Sequence, residues 1–322
     1  MSAPSSSAVR SRLVAITAYF NPGRSRRRAF NYRVFRDRLT VPLVTVELAD
    51  EGAFELAEGD ADRLVRVSGG DLIWQKERLL NIALAHLPAD CTHVVWLDSD
   101  IVFLSDDWPD RLLDALRRWR LVQPFARAFQ VAPGWEEGMP LGEHVVAPSP
   151  GAAAVIKAHG LDAYVDLVRD GGTLQPVVGY GWAARRDLLD AHGFFDACII
   201  GGGDRAIFSA GQGIFESVMD VHHMNAGQRR RFLAWAEPFH ADVRGEVGYI
   251  AGDVAHLWHG DLKRRLYRQR HVDLAPLGFD PSADIALTDA GLWRWSSDRP
   301  ALHDHVRRYF EFRDGCEDSP AS

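Results

Sequence analysis

THVVWLDSDIVFL, at residues 92–104, joins two apolar runs through a pair of acids. Val94-Val95-Trp96-Leu97 stops at Asp98-Ser99-Asp100, and the second run, residues 101–104, resumes at once. Short runs rich in β-branched and aromatic residues, bounded by turn signals, read as buried strands. Carboxylates at the end of such a strand are costly to bury unless a cation meets them. Divalent cations such as Mn²⁺ or Mg²⁺ prefer carboxylate oxygens, and open α/β sheets collect ligands at the carboxyl ends of their strands. Asp98 and Asp100 are therefore candidate metal ligands, against the plainer alternative of a turn or cap pair.

The elements before this stretch alternate. Residues 13–19 read as a strand that Asn21-Pro22-Gly23 ends sharply. Residues 24–38 carry Phe30, Val34 and Phe35 at the spacing of one helical face, beside clustered Arg24, Arg26, Arg27 and Arg28. That cluster is expected as a solvated helix face, with phosphate contact by its first members as the alternative. A second strand, 41–48, ends in acid at Glu47 and Asp50, and Asp50 joins the donor-binding candidates. A third strand, 63–67, leads to WQKERLLNIALAHL at 74–87, whose Leu79, Leu80, Ala83, Leu84 and Leu87 form a helical stripe with Asp71 as its expected N-cap. Strand and helix in alternation with short links predict a mostly parallel sheet covered by helices.

Composition bounds the possible functions. The 322 residues are 47% hydrophobic and 25% charged, which is ordinary for a globular chain. A net charge of −7 argues against a general binder of nucleic acid or anionic membranes. Cys91, Cys198 and Cys316 have neither zinc spacing nor the even count of a disulfide framework, so a reducing cytoplasm is expected. No run is long enough to cross a bilayer, and the short apolar stretch after the Ser-rich first 12 residues is a weak signal-peptide core. Three units are expected: a disordered tail over 1–12, one domain over 13–270, and a C-terminal extension over 271–322 packed on that domain. Trp293 and Trp295 are expected as packing residues of the extension.

Downstream, helices are expected over 106–119, 152–168, 185–192, 205–210, 229–240 and near 302–312, and strands over 121–132, 177–184 and 247–257. Gly179 and Gly181 allow a backbone to approach a ligand closely. Tyr180 and Trp182 are either core or sugar-stacking residues. GFFDACIIGGGDRAIF at 193–208 places Asp204 after three glycines. HLWHGDLKRRLY at 256–267 places His259 after an apolar run and before Gly260 and Lys263, with His256 as the rival metal ligand.

In order and wording these stretches resemble metal-dependent glycosyltransferases of the GT-A fold, within them the β-1,4-galactosyltransferase-like group. That group has an aromatic-Asn-Arg-Ala-Lys-Leu-Leu-Asn helix, a DVD metal motif, a Gly-Trp-Gly-Gly-Glu-Asp-Asp block and a late metal-binding histidine. Here the helix motif stands as Trp74-Gln75-Lys76-Glu77-Arg78-Leu79-Leu80-Asn81, and the resemblance spans roughly residues 13 to 270. It implies an α/β, GT-A type nucleotide-binding fold with a central, mostly parallel sheet flanked by helices. It implies Asp98 near the donor ribose and metal, Asp100 and His259 as metal ligands for Mn²⁺ or Mg²⁺, and Lys76 at the donor phosphates. Trp74 would lie near the nucleotide, Phe20 and Asn21 near its base and ribose, and Asp204 would be the base of an inverting transfer. Tyr180, Gly181, Trp182, Gly202 and Gly203 become acceptor-side candidates. The chain departs from the group at Gly203-Asp204-Arg205, where the group has Glu-Asp-Asp, and at Ile200, where it has tryptophan.

The chemistry is consistent with those roles. A nucleotide-sugar donor leaves as a nucleoside diphosphate, so a Lewis acid at the diphosphate stabilises the charge that grows there. Lys76 and Lys263 can add cationic contacts, a carboxylate can take the acceptor proton, and Arg205 beside Asp204 would keep that carboxylate ionised. The expected partners are a nucleotide-sugar, probed first with UDP, and a sugar or small-molecule acceptor. Two other classes stand beside this one: a nucleotidyltransferase, of whose Gly-rich basic loop Asn21-Pro22-Gly23-Arg24 is a faint echo, and a non-catalytic nucleotide-sugar binder, given the altered block around Asp204. Released nucleoside diphosphate, released pyrophosphate, or binding without turnover separates the three.

Overall fold

Strand β1 (Leu13–Phe20) shows how the sheet is covered on both faces. Leu13 and Ala15 join one apolar cluster while Val14 and Ile16 join another, as the twofold alternation of strand side chains requires. Strand β4 divides in the same way, with Val94 and Trp96 on one side and Val95 and Leu97 on the other. The computed structural model describes residues 13–49, 52–146, 148–171 and 176–314. The expected tail over 1–12 and the candidate Asp50 lie outside the described residues.

The strands are β1, β2 (Leu43–Ala49), β3 (Arg63–Ser68), β4 (His93–Leu97), β5 (Ile101–Phe103), β6 (Leu121–Gln123), β7 (Arg127–Gln130), β8 (Ser149–Pro150), β9 (Gly181–Arg185), β10 (Val247–Tyr249), β11 (Asp253–His256), β12 (Ile285–Leu287) and β13 (Trp293–Trp295). The helices are α1 (Arg26–Arg38), α2 (Lys76–Leu84), α3 (Trp108–Ala115), α4 (Ala152–His159), α5 (Leu161–Asp170), α6 (Arg186–His192), α7 (Gly203–Gln212), α8 (Phe215–Val221), α9 (Ala226–Val243), α10 (Gln269–Leu274), α11 (Pro281–Asp284) and α12 (Pro300–Asp314).

A seven-stranded sheet in the order β10-β6-β9-β4-β1-β2-β3 forms the centre. Its neighbours pair in parallel except where β9 runs antiparallel between β4 and β6. Helices α2, α6, α7 and α9 cover one face and α1 and α3 the other. This is the α/β layering that the sequence predicts. No helix among the described residues is long and apolar enough to cross a membrane.

A smaller sheet, β5-β11-β7-β8, stands beside the large one. It arises because two expected single strands each change sheets partway. Residues 121–132 divide into β6 and β7, and 247–257 into β10 and β11. Both breaks occur at one level, where Ala126 N donates to Gly252 O at 2.8 Å and Gly252 takes a φ of 153° that glycine tolerates best. The expected strand over 177–184 begins only at Gly181, after Tyr180 turns the backbone to a φ of 76°. Gly160, at a φ of 89°, splits the single helix expected over 152–168 into α4 and α5.

The C-terminal segment forms the β12–β13 hairpin and α12, and shares a core with Ile73, Ile199 and Ile200. Gln75 exchanges hydrogen bonds with the backbone N and O of Trp293 at 2.8 and 3.2 Å. Asp71, expected to cap α2, instead accepts from Trp295 N at 2.6 Å, and α2 starts at Lys76.

Candidate active site

The turn after β4 divides its two acids between two clusters. Asp100 carries the first. Antiparallel pairing of β11 with β5 sets His256 opposite Ile101, the residue after Asp100. His259 follows three residues on, its Nε2 lying 2.9 Å from Asp100 Oδ2, while His256 Nε2 lies 3.6 Å from Oδ1. Donor atoms of Asp100, His256 and His259 all fall within 4.8 Å of one another. Both late histidines therefore join Asp100, where sequence reasoning placed His259 alone.

These residues fit a divalent ion on three observations. Asp100 Oδ1 is buried without a hydrogen-bond partner. Parallel register puts Gln130 beside His256, and its Oε1 meets His256 Nδ1 at 2.8 Å, which leaves the Nε2 lone pair turned toward Asp100. Gln130 Nε2 donates in turn to the hydroxyl of Tyr180, whose ring stacks on His256 at 4.4 Å. Burial alone would raise the Asp100 carboxyl, but the two imidazoles outweigh it and hold it well below the usual range. Burial lowers His256, against the pull of Asp100, and so favours the neutral ligand form. Two imidazoles and one carboxylate suit Mn²⁺ or another transition metal better than Mg²⁺, which prefers oxygen ligands.

Asp98 anchors the second cluster. Lys76, the first residue of α2, reaches Asp98 Oδ1 at 2.5 Å and Asp204 Oδ2 at 2.8 Å. The Lys76, Asp204 and Asp98 side chains are 15%, 20% and 27% exposed, so the cluster opens to solvent. Burial works against the Lys76 charge, but Asp204, Asp98 and Glu77 together raise its pKa. Burial also raises Asp204, with Lys76 opposing. The remaining oxygen, Asp204 Oδ1, is buried and unpartnered. Glu77, which sequence reasoning missed, is pushed up to about 8 by burial and accepts from Trp74 Nε1 at 3.1 Å. Lys76 is thus held by two carboxylates. Arg205, expected to steady Asp204, acts electrostatically on Tyr164 and His222 instead.

Several other candidates serve the fold. Asn21 donates to Glu55 at 2.8 Å and to Ser25 O at 3.1 Å, and accepts from Ser25 N at 3.0 Å, which fixes the turn from β1 into α1. Phe20 packs edge-on against Phe310. Trp182 is fully buried, with its indole donating to Val178 O at 2.7 Å, so it belongs to the core. A Cβ on Gly181 would lie 2.7 Å from Leu97 Cδ2. Its absence lets β9 pair closely with β4 and leaves no room there for a ligand. The three glycines before Asp204 likewise make way for side chains. Arg270 and Trp74 crowd Gly201, His222 crowds Gly202, and the Glu77 carboxyl would lie 2.2 Å from a Cβ on Gly203. Lys263 is exposed; it is Arg265, two residues on, that lies 2.7 Å from His259 Nδ1 and also touches Nε2. Both sit in one basic run, and composition does not distinguish them.

His222, the residue after α8, is buried and stacks on His271 with ring centres 4.0 Å apart. Burial holds both imidazoles well below the usual histidine range, and Arg205, Arg270 and His223 push the same way. Between the unfolded value of about 6.5 and the lower folded values, the unfolded chain binds more protons. Stability is therefore fully present above about pH 6.5 and falls as pH drops, by up to roughly 1.4 kcal/mol per pH unit for each histidine. Urea unfolding at several pH values checks this. His222→Gln should flatten the slope, and an unchanged slope assigns the pH dependence to other groups.

No known family model matches the chain, and no curated protein matches it in sequence. Among solved structures it is similar to glucosyl-3-phosphoglycerate synthase from Mycobacterium tuberculosis in complex with Mn²⁺, uridine diphosphate and phosphoglyceric acid, at 16% identity over 87% of this chain and 84% of that chain, with a TM-score of 0.41. The same synthase with Mn²⁺, UDP-glucose and phosphoglyceric acid gives 14% identity, 92% of each chain and 0.41. The 4-diphosphocytidyl-2C-methyl-D-erythritol synthase from Anaerococcus prevotii gives 10% identity, 76% of this chain, 90% of that chain and 0.33. These proteins are not β-1,4-galactosyltransferases.

Proposed function

We propose that this chain is a metal-dependent glycosyltransferase of GT-A type that moves a sugar from a nucleoside-diphosphate donor, UDP-sugar first among them, to an acceptor hydroxyl with inversion. One observation carries the proposal. A single turn at the carboxyl end of β4 gives Asp100 to a three-ligand cluster and Asp98 to a lysine–carboxylate cluster that contains Asp204. Candidate metal ligands and a candidate base thereby share the strand end where α/β sheets bind ligands.

Asp100, His256 and His259 would hold the ion, Mn²⁺ in preference to Mg²⁺. When bound, it offsets the charge that develops on the departing diphosphate. Lys76 keeps Asp98 and Asp204 in place from the first turn of α2. Asp204, whose side chain stays partly open to solvent, receives the acceptor proton. As the hydroxyl oxygen bonds to the anomeric carbon, the bond from that carbon to the diphosphate oxygen breaks, and the diphosphate carries away the electron pair.

A thermal-shift screen of nucleoside diphosphates and nucleotide-sugars, with and without Mn²⁺, tests the donor class, because ligand binding to the native state raises its stability by mass action. The expected result is a rise with one nucleoside diphosphate that depends on Mn²⁺, followed by release of that diphosphate on turnover. Release of pyrophosphate would make the chain a nucleotidyltransferase, and binding without turnover would make it a binding protein.

A further inference from the structure

Arg313, near the end of α12, is a cation for which the two clusters leave no role. Its side chain is only 10% exposed. The guanidinium carbon lies 4.7 Å from the Trp74 ring centroid. Among the described residues its carboxylate neighbour is Asp314, which stands 3.8 Å from Nε and also meets Arg28 at 3.2 Å. Among the described residues Arg313 donates no hydrogen bond. A guanidinium this enclosed, with no described residue accepting from it, favours an anion beside it. Burial, with Arg28 and Arg265 nearby, lowers Arg313 to about 10, against the pull of Asp314. Arg265 in turn touches His259 of the metal cluster, so basic groups run from Trp74 to the triad.

The helix is held in position for such a role. Phe310 stacks on Trp74 with centroids 6.5 Å apart and meets the edge of Phe20 at 6.2 Å. Arg264 donates to Phe312 O at 3.2 Å and ties the segment after His259 to the same helix. We propose that α12 completes the donor site and that Arg313 binds the diphosphate of a nucleoside diphosphate held at Asp100, His256 and His259. This rests on the donor class proposed above. A guanidinium presents paired donors that match phosphate oxygens, and the indole beneath holds its plane ready.

Calorimetric titration of the full chain with UDP, UMP and uridine in Mn²⁺ tests the assignment, comparing wild type with Arg313→Ala and Arg313→Lys. The expected loss of UDP affinity in Arg313→Ala is about 10- to 100-fold, the usual range for a hydrogen bond to a charged group. Uridine affinity should be unchanged, and Arg313→Lys should fall between. Equal weakening of all three ligands would leave Arg313 as a support for Trp74 and overturn the inference. UDP binding within about twofold of wild type would also overturn it. If wild type binds no nucleoside diphosphate in the thermal-shift screen either, the proposed donor class fails, and the diphosphate role fails with it.

Discussion

Asp100→Ala is expected to abolish the Mn²⁺-dependent stabilisation by nucleoside diphosphate while leaving the apo protein folded. Asp100 is the one carboxylate among the three clustered candidate ligands. Removing it leaves only two imidazoles from the protein, too few ligands to hold a divalent ion well. The fold should tolerate the change, because Asp100 Oδ1 already lacks a partner and its oxygens face the two histidines rather than a backbone. Loss of favourable charge contact with the imidazoles is offset by removal of a buried carboxylate. A melting curve of the variant with UDP should therefore be the same with and without Mn²⁺. Asp98→Ala is the informative companion. Asp98 sits on Lys76 rather than in the triad, so that variant should keep most of the response to metal. A full Mn²⁺-dependent rise in Asp100→Ala would sink the metal assignment.

Much of the layering was legible in the sequence, because apolar runs between turn signals specify strands wherever both faces are buried. Strands β1, β2, β3 and β4 lie within a few residues of their expected positions for this reason. What local pattern cannot express is a strand that changes sheets. Apolar content continues through 121–132 and 247–257, while the hydrogen-bond partners change at Gly252. The two acids after β4 were legible as a pair, but not the division between them. That division depends on β11 pairing with β5 and on Lys76 arriving from α2, both contacts distant in sequence. The glycines before Asp204 mislead in an instructive way. A glycine run suits close approach by a ligand or by the protein's own side chains, and here Arg270, His222 and Glu77 fill the space. Arg313 lies outside the stretch that resembles a known family, so only the packing of α12 against Trp74 and Phe20 brings it to the site.

Asp204→Asn is expected to lower turnover by about 10²–10⁴-fold, the usual contribution of a positioned general base, with donor binding nearly intact. The structure sharpens this test. Asp204 lies in the first turn of α7, where an acidic side chain can also serve to cap a helix. Gly202 is the N-cap of α7, and no side chain caps that helix end. The substitution therefore removes no capping bond, and asparagine can still accept from Lys76 through its remaining carbonyl oxygen. Lys76 keeps Asp98 in either case, so the fold should be largely unaffected. The pH profile gives an independent readout. Burial raises the Asp204 pKa, with Lys76 opposing, and a base works only when ionised. Turnover should thus fall on the acidic side as pH drops through that raised value, and this limb should vanish from the residual activity of Asp204→Asn. The anomeric configuration of the product, read by NMR, completes the case, since a single displacement assisted by Asp204 inverts it. A retained configuration, or near-normal turnover in the folded variant, would leave Asp204 as a partner that steadies Lys76 and place the base elsewhere in the cleft.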